Sequence, residues 1–167
     1  MQLHGLCALC GKDVSGLEAI ETVQIIHGSS QLKVTAAEAQ RVELGSTQSL
    51  LQRRKLSLVV DLDQTILHAS IDPVVSAWMA DKGHPNHDAV KDVHRFFLPD
   101  SPVEYFLKLR RGLAQFLLQM KELYELHIYT MGTKSYATQV VRIIDPDSSL
   151  FHDRILSRDD NGSKEAG

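Results

Sequence analysis

An apolar run that stops on two carboxylates and a hydroxyl constrains the fold of this chain more than any other feature. Residues 58–60 read Leu-Val-Val, and Asp61, Asp63 and Thr65 follow them. The continuous apolar run predicts a strand buried on both faces, which is typical of a parallel sheet with helices packed on each side. In such sheets ligands bind beyond the carboxyl ends of the strands. The order of the residues therefore predicts a functional site at the two aspartates.

Asp61 and Asp63 have the spacing that a metal site requires. Side chains two residues apart on an extended chain point to the same face, so both carboxylates can reach one small volume. Two like charges held that close repel each other, and a hard divalent ion with oxygen ligands, Mg2+ above all, would relieve the repulsion. The alternative is that the pair begins a turn and caps a helix. The preceding strand and Thr65 favour the functional interpretation.

The second half of the chain alternates strands and helices. A helix is predicted after Gly112, a strand over Leu126–Tyr129, a helix over residues 134–144 and a strand over Arg154–Ser157. Together with the first strand they give a β-α-β-α-β order, for which a parallel sheet with right-handed crossovers is the natural fold. The apolar positions that the helical period predicts to be core are Leu113, Phe116, Leu117, Met120 and Leu123 in the first helix and Ala137, Val140, Val141 and Ile144 in the second.

The first half is less regular. A strand is predicted over residues 21–26, and Thr35 with Glu38 predicts a capping box that starts a helix over residues 36–54. Residues 71–111 contain repeated prolines and show no helical period, so we expect an inserted functional element without regular helices. Within it, residues 93–98 and 103–109 are candidate strands around a turn. The cluster formed by His84, His87, Asp88 and His94 could bind a metal, but its irregular spacing favours exposed histidines.

Composition narrows the function classes. The net charge of −3 and the lack of a basic stripe predict no direct nucleic-acid partner. No apolar run is long enough for a membrane span, and the N-terminus does not resemble a signal peptide, so we expect an intracellular protein without a membrane partner. Cys7 and Cys10 are spaced as half of a zinc knuckle, to which His4 and His27 could contribute; the alternative is two reduced thiols in a small turn.

The aspartate segment resembles motif I, D-x-D-x-T, of the haloacid dehalogenase superfamily. More closely, residues 4–13, 59–69, 123–133 and 153–159 resemble the RNA polymerase II carboxy-terminal-domain (CTD) phosphatases of the TFIIF-associating (FCP) type, and the likeness runs from about His4 to about Ser163. The resemblance implies an α/β, haloacid-dehalogenase-like parallel sheet with flanking helices and a β-hairpin insertion over the active site. It divides the chain into a lead-in over 1–54, a phosphatase domain over 55–163 and a divergent tail over 164–167.

The resemblance also implies the chemistry. A member of this family is a Mg2+-dependent protein serine/threonine phosphatase that dephosphorylates the RNA polymerase II CTD through an aspartyl-phosphate. Asp61 would be the nucleophile and a metal ligand, and Asp63 the general acid and base and a second ligand. Thr65 would hold the loop, while Arg110 and Thr130 would bind phosphate. The implied partners are the phosphorylated CTD and TFIIF, and the implied location is the nucleus.

Four further residues fall on positions that the family associates with function or its support: Tyr124, Tyr136, Asp145 and Arg158. Each has a structural alternative. The two tyrosines could be wall or core residues, Asp145 could end a helix before Pro146, and Arg158 could simply be exposed.

The chain departs from the family pattern at two places, of which the first is expected to alter a turn and only the second to affect activity. Arg111 stands where the family has proline, and after Ser163 the family continues through a lysine and paired aspartates that have no counterpart here, since Lys164 does not align with that lysine. We therefore expect a chain truncated at its C-terminus, with an incomplete sheet, weak Mg2+ binding and little activity. The alternative function is a non-catalytic fragment that binds a phosphopeptide or a transcription factor. The long insertion argues against a small-molecule phosphatase.

Overall fold

The computed structural model describes residues 2–3, 6–8, 10–14, 22–27, 30–99 and 101–161. The chain divides into two compact units, one of residues Met1–Leu56 with Asp160–Gly167, the other of residues Ser57–Asp159. The boundary at Leu56 lies close to the start of the predicted phosphatase domain. Within the described residues, no helix has the length and apolar character needed to cross a membrane.

The first unit contains an antiparallel sheet and a helix. The strands are β1 (Gln2–Leu3), β2 (Leu6–Cys7), β3 (Thr22–His27) and β4 (Ser30–Thr35), in the order β2-β1-β4-β3, and helix α1 (Ala36–Gln52) follows. The predicted strand and helix are both present.

Helix α1 begins where the capping signal placed it. The hydroxyl of Thr35 accepts a hydrogen bond from the amide of Glu38 at 3.3 Å. The helix continues through Gly45 and ends at Gln52, because Arg54 takes a left-handed φ of 53° that no helix can continue.

Cys7 and Cys10 form no disulfide and lie in a tight turn. The amide of Gly11 donates to the carbonyl of Cys7 at 2.8 Å, and the amide of Cys7 donates to the carbonyl of Lys12 at 2.8 Å. The predicted zinc ligand His4 lies outside the described residues, as does the side chain of His27. A zinc site therefore stays a prediction.

The second unit begins with strand β5 (Leu56–Val60), which ends directly before Asp61 as predicted. The expectation that this strand is buried on both faces is wrong. Val60 packs in the main core cluster and Leu58 borders it, whereas Val59 is 62% exposed. Side chains alternate between the faces of a strand, and the described residues leave the face of Val59 largely uncovered.

The predicted insertion is a small antiparallel sheet with helices. Its elements are β6 (Leu67–Ser70), α2 (Val74–Ala80), α3 (His87–Val90), β7 (His94–Phe97) and β8 (Glu104–Leu109), and the strand order is β6-β8-β7. The hairpin of β7 and β8 is confirmed, and β6 was not predicted.

The expectation of no regular helix in residues 71–111 is wrong, because the first of the prolines starts a helix rather than breaking one. Pro73 is the N-cap of α2, and the carboxylate of Asp72 accepts a hydrogen bond from the amide of Val74 at 2.9 Å. Proline is compatible with the start of a helix, where its missing amide costs nothing.

The expectation that the histidines of the insertion are exposed is wrong for two of the three. His84 is half-buried and stacks on Trp78 with 5.8 Å between ring centroids, and Nδ1 of the half-buried His87 lies 3.1 Å from the carbonyl of Trp78. His94 is exposed, as expected. The turn between α2 and α3 brings His84 against the Trp78 indole and His87 against the Trp78 carbonyl, so neither ring is fully exposed.

The rest of the second unit consists of a three-stranded sheet and two helices. Strand β9 (Tyr124–Tyr129) lies between β5 and β10 (Ile155–Leu156) and runs parallel to β10. Helices α4 (Leu113–Leu123) and α5 (Lys134–Ile144) precede and follow β9. This order confirms the predicted α/β class with a parallel sheet.

The prediction that five residues of α4 form the core is wrong for two of them. Leu113 and Leu117 are buried and Met120 borders the core, but Phe116 is 41% and Leu123 is 58% exposed. At about 100° per residue, Leu113, Leu117 and Met120 fall within an arc of about 60° around the helix. Phe116 and Leu123 lie beyond the edge of that arc. The second helix follows its prediction, with Ala137, Val140 and Val141 buried and Ile144 against the core.

Asp145 ends α5 and organises the chain that follows. Its carboxylate is 2% exposed and accepts hydrogen bonds from the amides of Ser149, Leu150 and Phe151 at 2.9 to 3.2 Å. Four contacts to one buried carboxylate favour the structural role over a catalytic one.

We expect Asp145→Ala to lower the free energy of unfolding by about 3 kcal/mol, because three amides, two of them in buried hydrogen bonds, lose their carboxylate acceptor. Urea unfolding followed by circular dichroism measures the change. Asp153→Ala, at an exposed position in the same segment, is the control and should change it by less than about 0.5 kcal/mol. Equal effects of the two variants would contradict the structural role of Asp145.

Candidate active site

The loop that follows β5 turns tightly around one carbonyl. The carbonyl of Leu62 accepts hydrogen bonds from the amides of Thr65, Ile66 and Leu67 at 3.0 to 3.3 Å. Leu62, Ile66 and Leu67 are buried, so their side chains anchor the loop in the core. Gln64, at the outer point of the turn, has a φ of 60°. The loop thus leaves the two aspartates on either side of the buried Leu62.

Each aspartate has one carboxylate oxygen fixed by a hydroxyl. Thr65 donates to Oδ2 of Asp61 at 2.9 Å, and the phenol of Tyr136 donates to Oδ1 of Asp63 at 2.6 Å. Asp61 is exposed and Asp63 is half-buried. The two hydroxyls orient the carboxylates and leave one oxygen of each for other partners.

Tyr136 links helix α5 to the aspartate loop. Thr133 caps the helix by accepting a hydrogen bond from the amide of Tyr136 at 3.2 Å, which fixes the backbone from which the phenol reaches Asp63. Burial, and then the hydrogen bond and charge of Asp63, raise the pKa of Tyr136 far above its ordinary value. The phenol therefore remains a proton donor to Asp63 at neutral pH.

Aromatic rings of the insertion pack against this tyrosine. Phe96 of β7 and Tyr105 of β8 stack with 5.3 Å between their centroids, and they lie 6.2 Å and 5.8 Å from the ring of Tyr136. The hairpin is thus packed beside Asp63, where the family resemblance implied it. Sequence analysis did not identify Phe96 and Tyr105, because only the fold brings them to the site.

Thr130 lies at the carboxyl end of β9 in a turn that is crowded by Tyr136. Thr130 is buried, and its hydroxyl oxygen accepts a hydrogen bond from the amide of Gly132 at 3.1 Å. A Cβ on Gly132 would lie 2.6 Å from Cδ1 of Tyr136 and 3.4 Å from the Thr130 hydroxyl. Only glycine fits there without moving the tyrosine. Sequence analysis did not use Gly132, although a glycine between a strand and the N-cap of a helix indicates a closely packed turn.

The residues that follow β10 are hydrogen-bonded to the same turn. The amide of Arg158 donates to the carbonyl of Gly132 at 3.1 Å, and the carboxylate of Asp159 accepts a hydrogen bond from the amide of Lys134 at 2.8 Å. The negative charge of Asp159 suits the N-terminus of α5. Arg158 is half-buried at the sheet edge that carries the other candidates.

Arg110 contacts the aspartate loop from its other side. Its side chain donates to the carbonyl of Thr65 at 2.6 Å and to that of Gln64 at 3.2 Å, and its amide donates to the carbonyl of Ile66 at 2.9 Å. The predicted phosphate ligand is therefore also a support for the loop.

The structure does not bring Tyr124 to this group. Tyr124 is the first residue of β9, and Thr130 follows the last. At a rise of about 3.3 Å per residue, about 20 Å of strand separates them. The half-buried ring of Tyr124 borders the core cluster instead.

The donor set at the loop suits a hard cation with few protein ligands. Among the described residues, no three His, Cys, Asp or Glu side chains come together as a metal site. The pair Asp61 and Asp63 supplies carboxylate oxygens, and Mg2+ commonly binds through one or two carboxylates while water and phosphate complete its shell. The residues present therefore fit Mg2+ as an ion shared with a phosphorylated substrate.

Comparisons with known proteins agree on one family. The profile of the family described as NLI interacting factor-like phosphatase matches residues 56–166. The chain is 49% identical to an RNA polymerase II C-terminal domain phosphatase of Schizosaccharomyces pombe, over 95% of this chain and 24% of the relative. It is 32% identical to the phosphatase of the same name in Homo sapiens, over 95% of this chain and 16% of the relative. The chain thus spans a quarter or less of these two relatives.

Solved structures support the same grouping. The chain matches a structure of the fission yeast RNA polymerase II CTD phosphatase Fcp1 bound to beryllium fluoride, with a TM-score of 0.70 and 54% identity, over 74% of this chain and 35% of that one. A second Fcp1 structure matches with a TM-score of 0.70 and 55% identity, over the same shares. The fold of the second unit is thus haloacid-dehalogenase-like.

We expect Gly132→Ala to lower the free energy of unfolding by about 1–3 kcal/mol, because the new methyl group overlaps the ring of Tyr136. In NMR spectra the Tyr136 ring signals should shift as its contact with Asp63 lengthens. Gly45→Ala is the control, since no atom lies within 4 Å of the methyl position and α1 should gain up to about 1 kcal/mol. A Gly132→Ala protein with unchanged stability and tyrosine signals would contradict the close packing.

Proposed function

Because the chain belongs to the NLI interacting factor-like phosphatase family, we propose that its aspartate loop removes phosphate from phosphoserine or phosphothreonine by way of an aspartyl-phosphate. The observation that carries the proposal is the paired restraint of the two carboxylates by Thr65 and Tyr136. Two oriented carboxylates can share the two tasks of the reaction, which are attack on phosphorus and transfer of a proton to the leaving oxygen.

Asp61 is the nucleophile in this proposal. Its exposed carboxylate is accessible to substrate, and the Thr65 hydroxyl holds Oδ2, which assigns Oδ1 as the attacking oxygen. The bond from Oδ1 to phosphorus forms while the bond from phosphorus to the seryl oxygen breaks. Water then attacks the aspartyl-phosphate at phosphorus and restores the carboxylate.

Asp63 carries the proton. Tyr136 occupies Oδ1, so Oδ2 is the oxygen that delivers a proton to the leaving serine and later accepts one from the attacking water. The hydrogen bond from the phenol fixes the carboxyl group in one orientation, which spares the reaction the entropy of ordering it. Tyr136 is therefore a positioning residue for Asp63.

The phosphate needs positive charge and hydrogen-bond donors around its other oxygens. Thr130 accepts the Gly132 amide, which leaves its hydroxyl proton for a phosphate oxygen. Arg110 offers the guanidinium charge beside the loop, and Arg158 lies at the same sheet edge. Their side chains complete the phosphate site in this proposal.

Asp61 and Asp63 would hold Mg2+. When bound, the ion neutralises charge on the phosphate and on the two carboxylates, which allows one anion to approach another. The oxygen donors of the loop support this choice over a soft metal.

The substrate follows from the relatives, whose names specify the C-terminal domain of RNA polymerase II. We propose the phosphorylated form of that domain as the substrate, and the nucleus as the place of action. A contact with TFIIF belongs to the same proposal and is supported only by the family resemblance. Binding of the phosphorylated tail without turnover is the second candidate, because Arg110 and Thr130 can hold a phosphate without any reaction at the two aspartates.

The purified chain should hydrolyse a small aryl phosphate slowly in the presence of Mg2+, and Asp61→Asn should lower that rate at least about 100-fold, because an amide cannot form the acyl-phosphate. Release of the aryl alcohol measures the rate. Asp88→Asn, which removes an exposed carboxylate elsewhere in the unit, is the matched control and should keep full activity.

Two outcomes would contradict the enzymatic proposal. A folded chain that binds a phosphoserine peptide without hydrolysing either compound would favour the binding function. Hydrolysis at an unchanged rate in the Asp61→Asn variant would show that the nucleophile is another residue.

Tyr136→Phe should lower kcat about 10- to 100-fold, the equivalent of one hydrogen bond to a charged group, with little change in KM. In an Asp63→Asn background the same substitution should have almost no further effect, since Tyr136 acts through Asp63. Equal effects in the two backgrounds would show that the phenol acts on the substrate directly.

A further inference from the structure

A groove opens beside the aspartate loop on the side of strands β6 and β8. It has a volume of about 520 Å³, and its polar lining residues are Gln64, His68, Lys108, Arg110 and Arg111. His68 and Lys108 are cross-strand neighbours on β6 and β8. All of these residues belong to the second unit. The groove has no task in the proposed reaction beyond the contact of Arg110 with the loop.

The groove carries net positive charge. Lys108, Arg110 and Arg111 contribute three cationic side chains within four consecutive residues. The one carboxylate seen to pair with them among the described residues is Asp92, which lies 3.0 Å from the amine of Lys108. Lys108 and Arg111 both act on Asp92 and lower the pKa of its carboxyl group, with the Lys108 contact the larger cause. Arg110 contacts only carbonyl oxygens among its described hydrogen bonds, so these contacts leave its charge uncompensated.

The groove adjoins the proposed phosphate site directly. Gln64 lines it and lies between Asp63 and Thr65 in the aspartate loop. Arg110 lines it too, and its guanidinium is hydrogen-bonded to that loop. An anion in the groove and a phosphate at Asp61 would therefore share Arg110 as a neighbour.

We propose that this groove binds a second phosphate group on the same substrate peptide, so that the chain prefers doubly phosphorylated over singly phosphorylated segments. The inference rests on the proposed function and names a substrate class for it. Guanidinium and ammonium groups are the side chains that recognise phosphate.

The geometry of β8 sets the spacing of the two phosphates. Lys108 lies near the end of β8 and Arg110 follows the strand two residues later, which is about 7 Å of extended chain. An extended peptide advances about 3.3 Å per residue. The second phosphate should therefore lie about two to four residues from the one that is removed.

Fluorescence anisotropy with the full chain tests the inference. The Asp61→Asn variant binds labelled serine peptides that carry one phosphate, two phosphates three residues apart, or two phosphates ten residues apart. We expect the three-residue pair to bind about tenfold more tightly than the single phosphate, and the ten-residue pair to bind like the single phosphate. Equal affinities for all three would overturn the groove while leaving the proposed function intact. No binding of any peptide would contradict both.

Charge variants locate the second phosphate. Arg111→Gln should remove most of the tenfold preference, whereas Arg142→Gln, at an exposed position on α5, should keep it. Asp92→Asn should strengthen binding of the three-residue pair severalfold, because Lys108 loses its competing carboxylate, and Asp88→Asn should not. If Arg142→Gln weakens binding as much as Arg111→Gln, the preference is a general attraction of charge and the groove is not a site.

Discussion

The hydrogen bond from Tyr136 to Asp63 is the contact on which the arrangement of the site depends. It joins two side chains that are 73 residues apart in the sequence, across a distance of 2.6 Å. On one side of it lies the turn that follows β5, and on the other lies the first turn of α5. The same ring lies close to Gly132, whose amide donates a hydrogen bond to the hydroxyl of Thr130 at 3.1 Å. Tyr136 therefore connects the aspartate loop with the turn that follows β9.

The aspartate loop is held from a second direction by Arg110. Its guanidinium and its amide bond the carbonyls of three consecutive loop residues. An arginine in this role keeps its positive charge, so in the proposed reaction one side chain would both support the loop and contribute positive potential at the phosphate. The groove on the far side of Arg110 extends that positive potential along β8. The loop is thus close to the hydroxyls of Thr65 and Tyr136 and to the cationic side chains of Lys108, Arg110 and Arg111, which is an environment suited to phosphate.

Much of this fold follows from local patterns, and the exceptions have physical causes. The strands before Asp61 and Thr130 and the helix after Thr133 were predicted, because apolar periods and caps are properties of neighbouring residues. Val59 and Phe116 were predicted to be core and are exposed, since hydrophobicity does not reveal which face an element presents to its neighbours. Of the site residues, Asp61 and Asp63 came from the motif.

The contact of Tyr136 with Asp63 could not be predicted from the residues next to Tyr136 in the sequence, because it depends on the path of the chain through β9. The stacked pair of Phe96 and Tyr105 has the same origin in the fold. Tyr124 shows the converse, since a position implied by resemblance lies at the opposite end of its strand. Sequence patterns thus pointed to Asp61 and Asp63 as the candidate carboxylates, and the fold supplied the groups that orient them.

Mass spectrometry of the chain, quenched in acid during turnover of a phosphoserine peptide with Mg2+, tests the central claim most directly. The account predicts a phosphate adduct on the carboxylate of Asp61. Tyr136→Phe should slow the formation of this adduct, and Asp61→Asn should abolish it. Release of phosphate with the adduct on another residue, or with no adduct at any time of quenching, would contradict the assignment of Asp61 as the nucleophile.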